Sequence, residues 1–222
     1  MQALILVDLQ NDFLPGGALA VPDGDEVIPV ANRLQHRFGR VIATKDWHPE
    51  DHGSFASNHP GREVGDFIEL GGQRQVLWPD HCIQGTPGSE FAPGLETSAV
   101  EKVFYKGTDS AVDSYSAFFD NAHLRATGLG DYLQETGVDE IYLLGLATDY
   151  CVRFTALDAL DLGFRVHVVE DGCRGVDLEA NDSARALAEL REAGVDLVTS
   201  WALQMREPRG PVPAEEPAGA MA

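Results

Sequence analysis

Cys151 stands where a thiol can act as a nucleophile. It comes shortly after an apolar run, Glu140 to Leu146, and just before a helical pattern, so it lies at a strand-to-helix turn. Unpaired N–H groups at a helix start favour a thiolate and can lower its pKa. They can also hold the oxyanion formed when sulfur attacks a carbonyl. The plain alternative is a buried thiol serving as a small hydrophobe, which is the commoner fate of a cysteine. Partners decide between the two. Asp8 closes a second apolar run, and a tuned carboxyl there could take the thiol proton and later return it to a leaving amine. Lys106 closes a third run, where it would hold that carboxylate and offset its charge. Each alone reads as a surface residue. Together they favour an Asp–Lys–Cys constellation.

Asp46-Trp47-His48 supplies a different chemistry. Two ligands two residues apart on an extended segment point the same way, and His52, His59 and His81 follow. One carboxylate with two or more imidazoles suits zinc, iron or manganese and leaves coordination positions open for water or substrate.

The elements that must position these groups alternate along the chain. Ala3 to Leu9, Arg40 to Thr44, Glu101 to Tyr105, Glu140 to Leu146, Arg165 to Glu170 and Val195 to Ser200 read as strands. Most are continuous apolar runs, as in a parallel sheet buried on both faces. Helical spacing runs through Val27, Ala31, Leu34 and Phe38 to a stop at Gly39. It recurs over Gly128 to Glu135, over Asp149 to Leu162, and over Asp182 to Ala193 with Gly194 beyond. The expectation is an α/β fold: a doubly wound, mainly parallel β-sheet flanked by helices on both faces. Ligands in such sheets bind outside the carboxyl ends of the strands, and Asp8, Asp46, His48, Lys106 and Cys151 all fall there. Asp46 to Thr97 lacks periodicity, and so long an irregular stretch in a compact domain is usually functional. Residues 1–205 are expected to form one domain. Residues 206–222, rich in Pro, Ala and Glu, are expected to be a disordered tail.

With 222 residues, 44% of them hydrophobic, the chain can bury one cooperative core. No apolar run reaches the roughly 18 residues of a membrane helix, and no basic n-region marks a signal peptide. Three cysteines suggest no disulfide framework, so a cytoplasmic location is expected. The net charge of -20, with no basic stripe, opposes a nucleic-acid partner.

Five ordered segments carry a resemblance. They are Val7-Asp8-Leu9-Gln10-Asn11-Asp12-Phe13, Asp46-Trp47-His48-Pro49, Trp78-Pro79-Asp80-His81-Cys82, Phe104-Tyr105-Lys106-Gly107 and Gly145-Leu146-Ala147-Thr148-Asp149-Tyr150-Cys151-Val152. Together they resemble the bacterial nicotinamidases (pyrazinamidases) of the isochorismatase-like cysteine hydrolases, over about residues 2 to 203. The resemblance implies Asp8 as general base, Lys106 as the assisting lysine and Cys151 as nucleophile. It implies Asp46, His48 and His81 as ligands of one divalent transition metal, zinc first and iron or manganese as alternatives. His52 matches a histidine that ligates metal in some members only. The bond between Leu146 and Ala147 matches a cis peptide, with the N–H groups of Ala147 and Cys151 as the oxyanion hole. Phe13, Trp78, Tyr115 and Tyr150 match the lining of the substrate pocket, though ordinary core packing would also explain the first three.

The implied activity is deamidation of nicotinamide to nicotinic acid and ammonia through a Cys151 thioester, in NAD salvage, with pyrazinamide also accepted. The implied partner is this small molecule, with no membrane and with a monomer or homo-oligomer as the assembly. N-Carbamoylsarcosine and ureidoacrylate amidohydrolases share the Asp–Lys–Cys set, but their substrates offer no ring nitrogen to a metal. Isochorismatases cleave a vinyl ether, which does not call for acyl chemistry at a cysteine. A metal-binding or interaction protein with a structural cysteine is the rival from another class.

Overall fold

A computed structural model describes residues 1–205; the expected tail at 206–222 lies outside the described residues. Six strands form one parallel sheet in the order β5-β2-β1-β6-β7-β8. They are β1 (Gln2–Val7), β2 (Val41–Asp46), β5 (Val100–Lys106), β6 (Glu140–Leu146), β7 (Arg165–Arg174) and β8 (Asp196–Val198). The central strands are buried along their whole length, including five of six residues in β1 and all of β6. That two-sided burial is why they read as continuous apolar runs.

Helices α1 (Val27–Gln35) and α5 (Ser200–Met205) pack together over β7, while α3 (Arg153–Asp161) and α4 (Asp182–Ala193) pair against β7 and β8. The short α2 (Leu129–Glu135) leads into β6. Val27, Val30, Ala31 and Leu34 form the buried stripe of α1, and α4 ends where Gly194 takes a left-handed φ of 104°. The chain moves outward from β1 to β2 and β5, then returns to β6 and proceeds the other way. The sheet therefore reverses winding between β1 and β6, and a crevice opens there at the carboxyl edge. Gly145 allows the two strands this approach: a Cβ on it would lie 2.1 Å from the Val7 carbonyl oxygen.

Four local expectations change. The irregular stretch contains an antiparallel hairpin, β3 (Phe67–Leu70) with β4 (Gln73–Val76), turned by Gly71 and Gly72 at φ 58° and 77°. Two positive φ values match the twist of a tight hairpin. The last strand stops at Val198, because Ser200 begins α5 and both its N–H and Oγ bind the Asp171 carboxylate, at 2.7 and 2.6 Å. Strand β7 runs on to Arg174 rather than ending at Glu170. The helical pattern from Asp149 opens as a wide π-type turn, Thr148–Val152, and only then becomes α3. Among the described residues, no helix is long and apolar enough to cross a membrane.

Candidate active site

Asp8 follows β1 directly, with φ 49° and no exposure to solvent. Its Oδ1 accepts the Thr44 hydroxyl proton at 2.6 Å, and its N–H donates back to Thr44 Oγ1 at 3.2 Å. Lys106, the last residue of β5, brings its ammonium 2.9 Å from Asp8 Oδ2 and 3.3 Å from Cys151 Sγ. It also donates to the Ser114 carbonyl at 3.1 Å and pairs closely with Asp46. A carboxylate oxygen of Asp8, one of Asp46 and the Cys151 sulfur lie within 4.8 Å of one another. Cys151 sits in the π-type turn after β6, tethered through Asp149, whose carboxylate accepts the N–H groups of Val176 at 3.0 Å and Asp177 at 2.8 Å. The Leu146–Ala147 peptide is cis.

Burial decides the protonation here. Leaving water pushes the Asp8 pKa up, and the Asp46 charge adds to that against the pull of Lys106. Burial also pushes the Cys151 thiol well up, against the pull of the Lys106 ammonium, and the Asp8 and Asp46 charges add to the rise. The expected lowering of the thiol pKa is therefore reversed. Two anions share the desolvated space, so the resting sulfur keeps its proton and needs a base. Lys106 stays charged: burial would lower its pKa, but Asp46 and Asp8 hold it well above the ordinary lysine value.

Asp46 joins this group to the histidines. Its main chain is clamped by the Gln10 side chain, which accepts from the Asp46 N–H and donates to its carbonyl, both at 2.8 Å. Its Oδ2 lies 3.5 Å from His48 Nε2 and 3.6 Å from His81 Nε2. His48 Nδ1 donates to the Gly107 carbonyl at 2.9 Å, and His81 Nδ1 to that of Pro79 at 2.8 Å. A carbonyl only accepts, so both rings carry a proton on Nδ1, which leaves Nε2, on the side of the carboxylate, as the nitrogen a cation would bind. Ligands about 2.0–2.1 Å from a tetrahedral zinc lie roughly 3.3–3.4 Å apart, so this donor set fits a transition-metal ion. Gly107 lets His48 dock: at φ 64°, a Cβ would meet the ring at 2.3 Å. Burial would raise the Asp46 pKa, but Lys106 and His48 hold it well below the ordinary value.

His52 stands beside this set, its ring centroid 4.3 Å from that of His48, and burial with the neighbouring His48 pushes its pKa down to about 4. His59 turns away and hydrogen-bonds to the Gly53 carbonyl at 2.7 Å. A small cleft opens over the thiol, His48 and His81. Its polar lining is Asp46, His48, His81, Asp113 and Cys151, and its apolar lining includes Phe13, Leu19, Trp78, Ala147 and Val176. Tyr115 and Tyr150 complete it. Trp78 and Tyr150 pack edge-on at 4.9 Å, and Tyr115 and Tyr150 at 5.2 Å. All four aromatic residues singled out in the sequence thus reach one cavity. Leu19, Asp113 and Val176 were not foreseen: they sit in connecting loops where no periodicity marks them, although Asp113 lies two residues before Tyr115.

Residues 2–202 match the isochorismatase domain family. A nicotinamidase from Escherichia coli is 54% identical over 202 residues, covering 89% of this chain and 94% of its own. A solved structure named as a nicotinamidase and pyrazinamidase from Acinetobacter baumanii superposes with a TM-score of 0.88 at 47% identity, covering 91% of this chain and 97% of that one. The zinc complex of a pyrazinamidase from Pyrococcus horikoshii aligns with a TM-score of 0.71 at 40% identity, covering 89% and 98%.

Proposed function

The chain belongs to the isochorismatase family, and within it we propose that it hydrolyses nicotinamide to nicotinate and ammonia by a cysteine thioester route. One observation carries this reading. A buried thiol lies 3.3 Å from an ammonium that is itself 2.9 Å from a buried carboxylate, beside a cleft lined by two imidazoles and a second carboxylate. The similarity to enzymes named for this reaction supports it.

The substrate is a flat ring with a carboxamide at one position and a nitrogen at another. A zinc or similar ion held by Asp46, His48 and His81 would supply a Lewis-acid anchor for the ring nitrogen. Phe13, Trp78, Tyr115 and Tyr150 offer faces and edges to the ring, so the carboxamide arrives oriented at Cys151 and effective molarity rises. Asp8 accepts the Cys151 proton as Sγ bonds to the amide carbon. Lys106 donates toward the sulfur and compensates the new charge, and the N–H groups of Ala147 and Cys151 receive the oxyanion. Collapse breaks the C–N bond, and Asp8 returns its proton to the departing ammonia. Water then gives a proton to Asp8 while its oxygen adds to the thioester carbon. The C–S bond breaks, Asp8 passes that proton to the sulfur to restore the thiol, and nicotinate leaves with its acid proton lost to solvent. The high thiol pKa suits this order, since proton removal and attack belong to one step.

Pyrazinamide presents the same pair of a ring nitrogen and a carboxamide, and is turned over as well. The reaction serves NAD salvage. The three cysteines are all free and buried, which supports a reducing cytoplasmic setting, and the acidic surface disfavours nucleic acid. The test is release of ammonia and nicotinate in equal amounts from nicotinamide by zinc-loaded protein, with a nicotinoyl adduct on Cys151 in acid-quenched samples. Turnover without any adduct, even under rapid quenching, would remove the covalent route.

A further inference from the structure

We infer that His52 serves the metal site as a hydrogen-bond donor and not as a ligand. The inference rests on the reading above that Asp46, His48 and His81 hold the metal. The three imidazoles beside the cleft are wired in opposite senses. At His48 and His81, Nδ1 faces a carbonyl, which can only accept, so Nε2 is free to bind a cation. At His52, Nδ1 receives the main-chain N–H of Ser54 at 3.2 Å and meets the Ser54 hydroxyl at 2.7 Å. A main-chain N–H can only donate. The Nδ1 lone pair is therefore used, the proton of the neutral ring sits on Nε2, and that nitrogen has no lone pair left for a metal.

The Nε2–H is buried and has no hydrogen-bond partner among the described residues. A buried donor without an acceptor is costly, so this group is set to donate to a polar atom held beside it. Asp113 supplies the matching acceptor. One ligand atom each from Asp113, His52 and His48 lie within 4.8 Å of one another, and Asp113 lines the cleft. Its carboxylate is fixed by the Gln75 amide at 2.9 Å and the Ser114 N–H at 2.8 Å. No hydrogen bond joins His52 to Asp113, and a gap of this size is spanned by one oxygen that accepts from the imidazole and donates to the carboxylate. A second cation site on the same three residues would compete for His48 Nε2, the one nitrogen of that ring open to a cation, which already belongs to the site with Asp46. His52 is thus a positioning residue, which with Asp113 holds one water or one polar substrate atom beside the metal.

X-ray absorption at the zinc edge of the full-length, zinc-loaded chain reads the ligand count directly. Two imidazoles per zinc are expected in the parent, and the same two in His52→Ala, which keeps one zinc per chain. KM for nicotinamide should rise about fivefold in that variant with kcat little changed, as for one lost hydrogen bond. His52→Gln, which retains an N–H donor, should recover most of it. Three imidazoles in the parent, zinc loss in His52→Ala, or an unchanged KM would each overturn the inference. His81→Ala separates the two readings: it should lose zinc, and full zinc retention there would overturn the ligand assignment itself.

Discussion

Two buried carboxylate–imidazole clusters lie at opposite edges of the same sheet. At the amino edge, Glu140 opens β6 and receives Gln2 Nε2 at 2.9 Å, the Tyr142 hydroxyl at 3.1 Å and His167 Nε2 at 2.9 Å, with Arg165 at 3.1 Å. The His167 ring stacks flat on Tyr142, centroids 4.3 Å apart. Burial would raise the Glu140 pKa, but these donors hold it below the ordinary value. At the carboxyl edge, Asp46 Oδ2 lies 3.5 and 3.6 Å from two imidazole Nε2 atoms, next to a buried thiol and a cleft. The amino-edge carboxylate has found its donors within the fold. The carboxyl-edge group gathers a carboxylate and two imidazole nitrogens around Lys106, beside the cleft. Burial of charge alone does not separate structure from function; the balance of donors and acceptors does.

Substitutions at the two edges should therefore give opposite signatures. Cys151→Ala should lower ammonia release by about three orders of magnitude or more while metal content stays intact; activity surviving in that variant would end the nucleophile assignment. His48→Ala should lose bound metal and lower kcat/KM by about a hundredfold, mainly through KM. A normal metal content there would dissolve the contrast between the edges. At the amino edge, Glu140→Gln should cost about 1–3 kcal/mol of folding stability and leave kcat/KM unchanged. Because the folded Glu140 pKa is lowered, its contribution is complete above the ordinary glutamate value and is lost as pH falls through the folded value. The melting-temperature gap between parent and variant should accordingly close in acid; a gap independent of pH would contradict the ionised-cluster account. The smallest effect is a shift of position. Asp8 acts as a base only when ionised and its pKa is raised, so the acid limb of kcat/KM should lie above the ordinary aspartate value, measured where metal content is constant. A limb at or below that value would remove Asp8 as the base.

Much of this arrangement is legible along the chain. Parallel strands buried on both faces must be continuous apolar runs, so a polar residue that closes such a run marks the carboxyl edge. Asp8, Asp46, Lys106 and Cys151 stand out for that reason. Phe13, Trp78, Tyr115 and Tyr150 reach the cavity as the family resemblance implies. Less is legible where neighbours distant in sequence set the outcome. The hairpin of β3 and β4 alternates polar and apolar residues too weakly to show. Ser200 reads as strand until Asp171, 29 residues away, caps it into a helix. Asp113 and Val176 sit in connecting loops, placed by Gln75, Asn121 and Asp149.

The chain's own order of apolar runs, turns and chemical side chains determined the α/β class, the edge where chemistry gathers and the residue types available there. Tertiary structure alone decided the protonation states. A thiol at a helix start reads as acidic from local dipoles, yet burial, with the Asp8 and Asp46 carboxylates close by, pushes it the other way. Likewise His48, His52 and His81 are equivalent letters until a carbonyl or an N–H, supplied by the folded backbone, assigns each ring its proton. Proton affinity and tautomer are properties of an assembled environment, because the energies of desolvation and hydrogen bonding arise only when the partners have met.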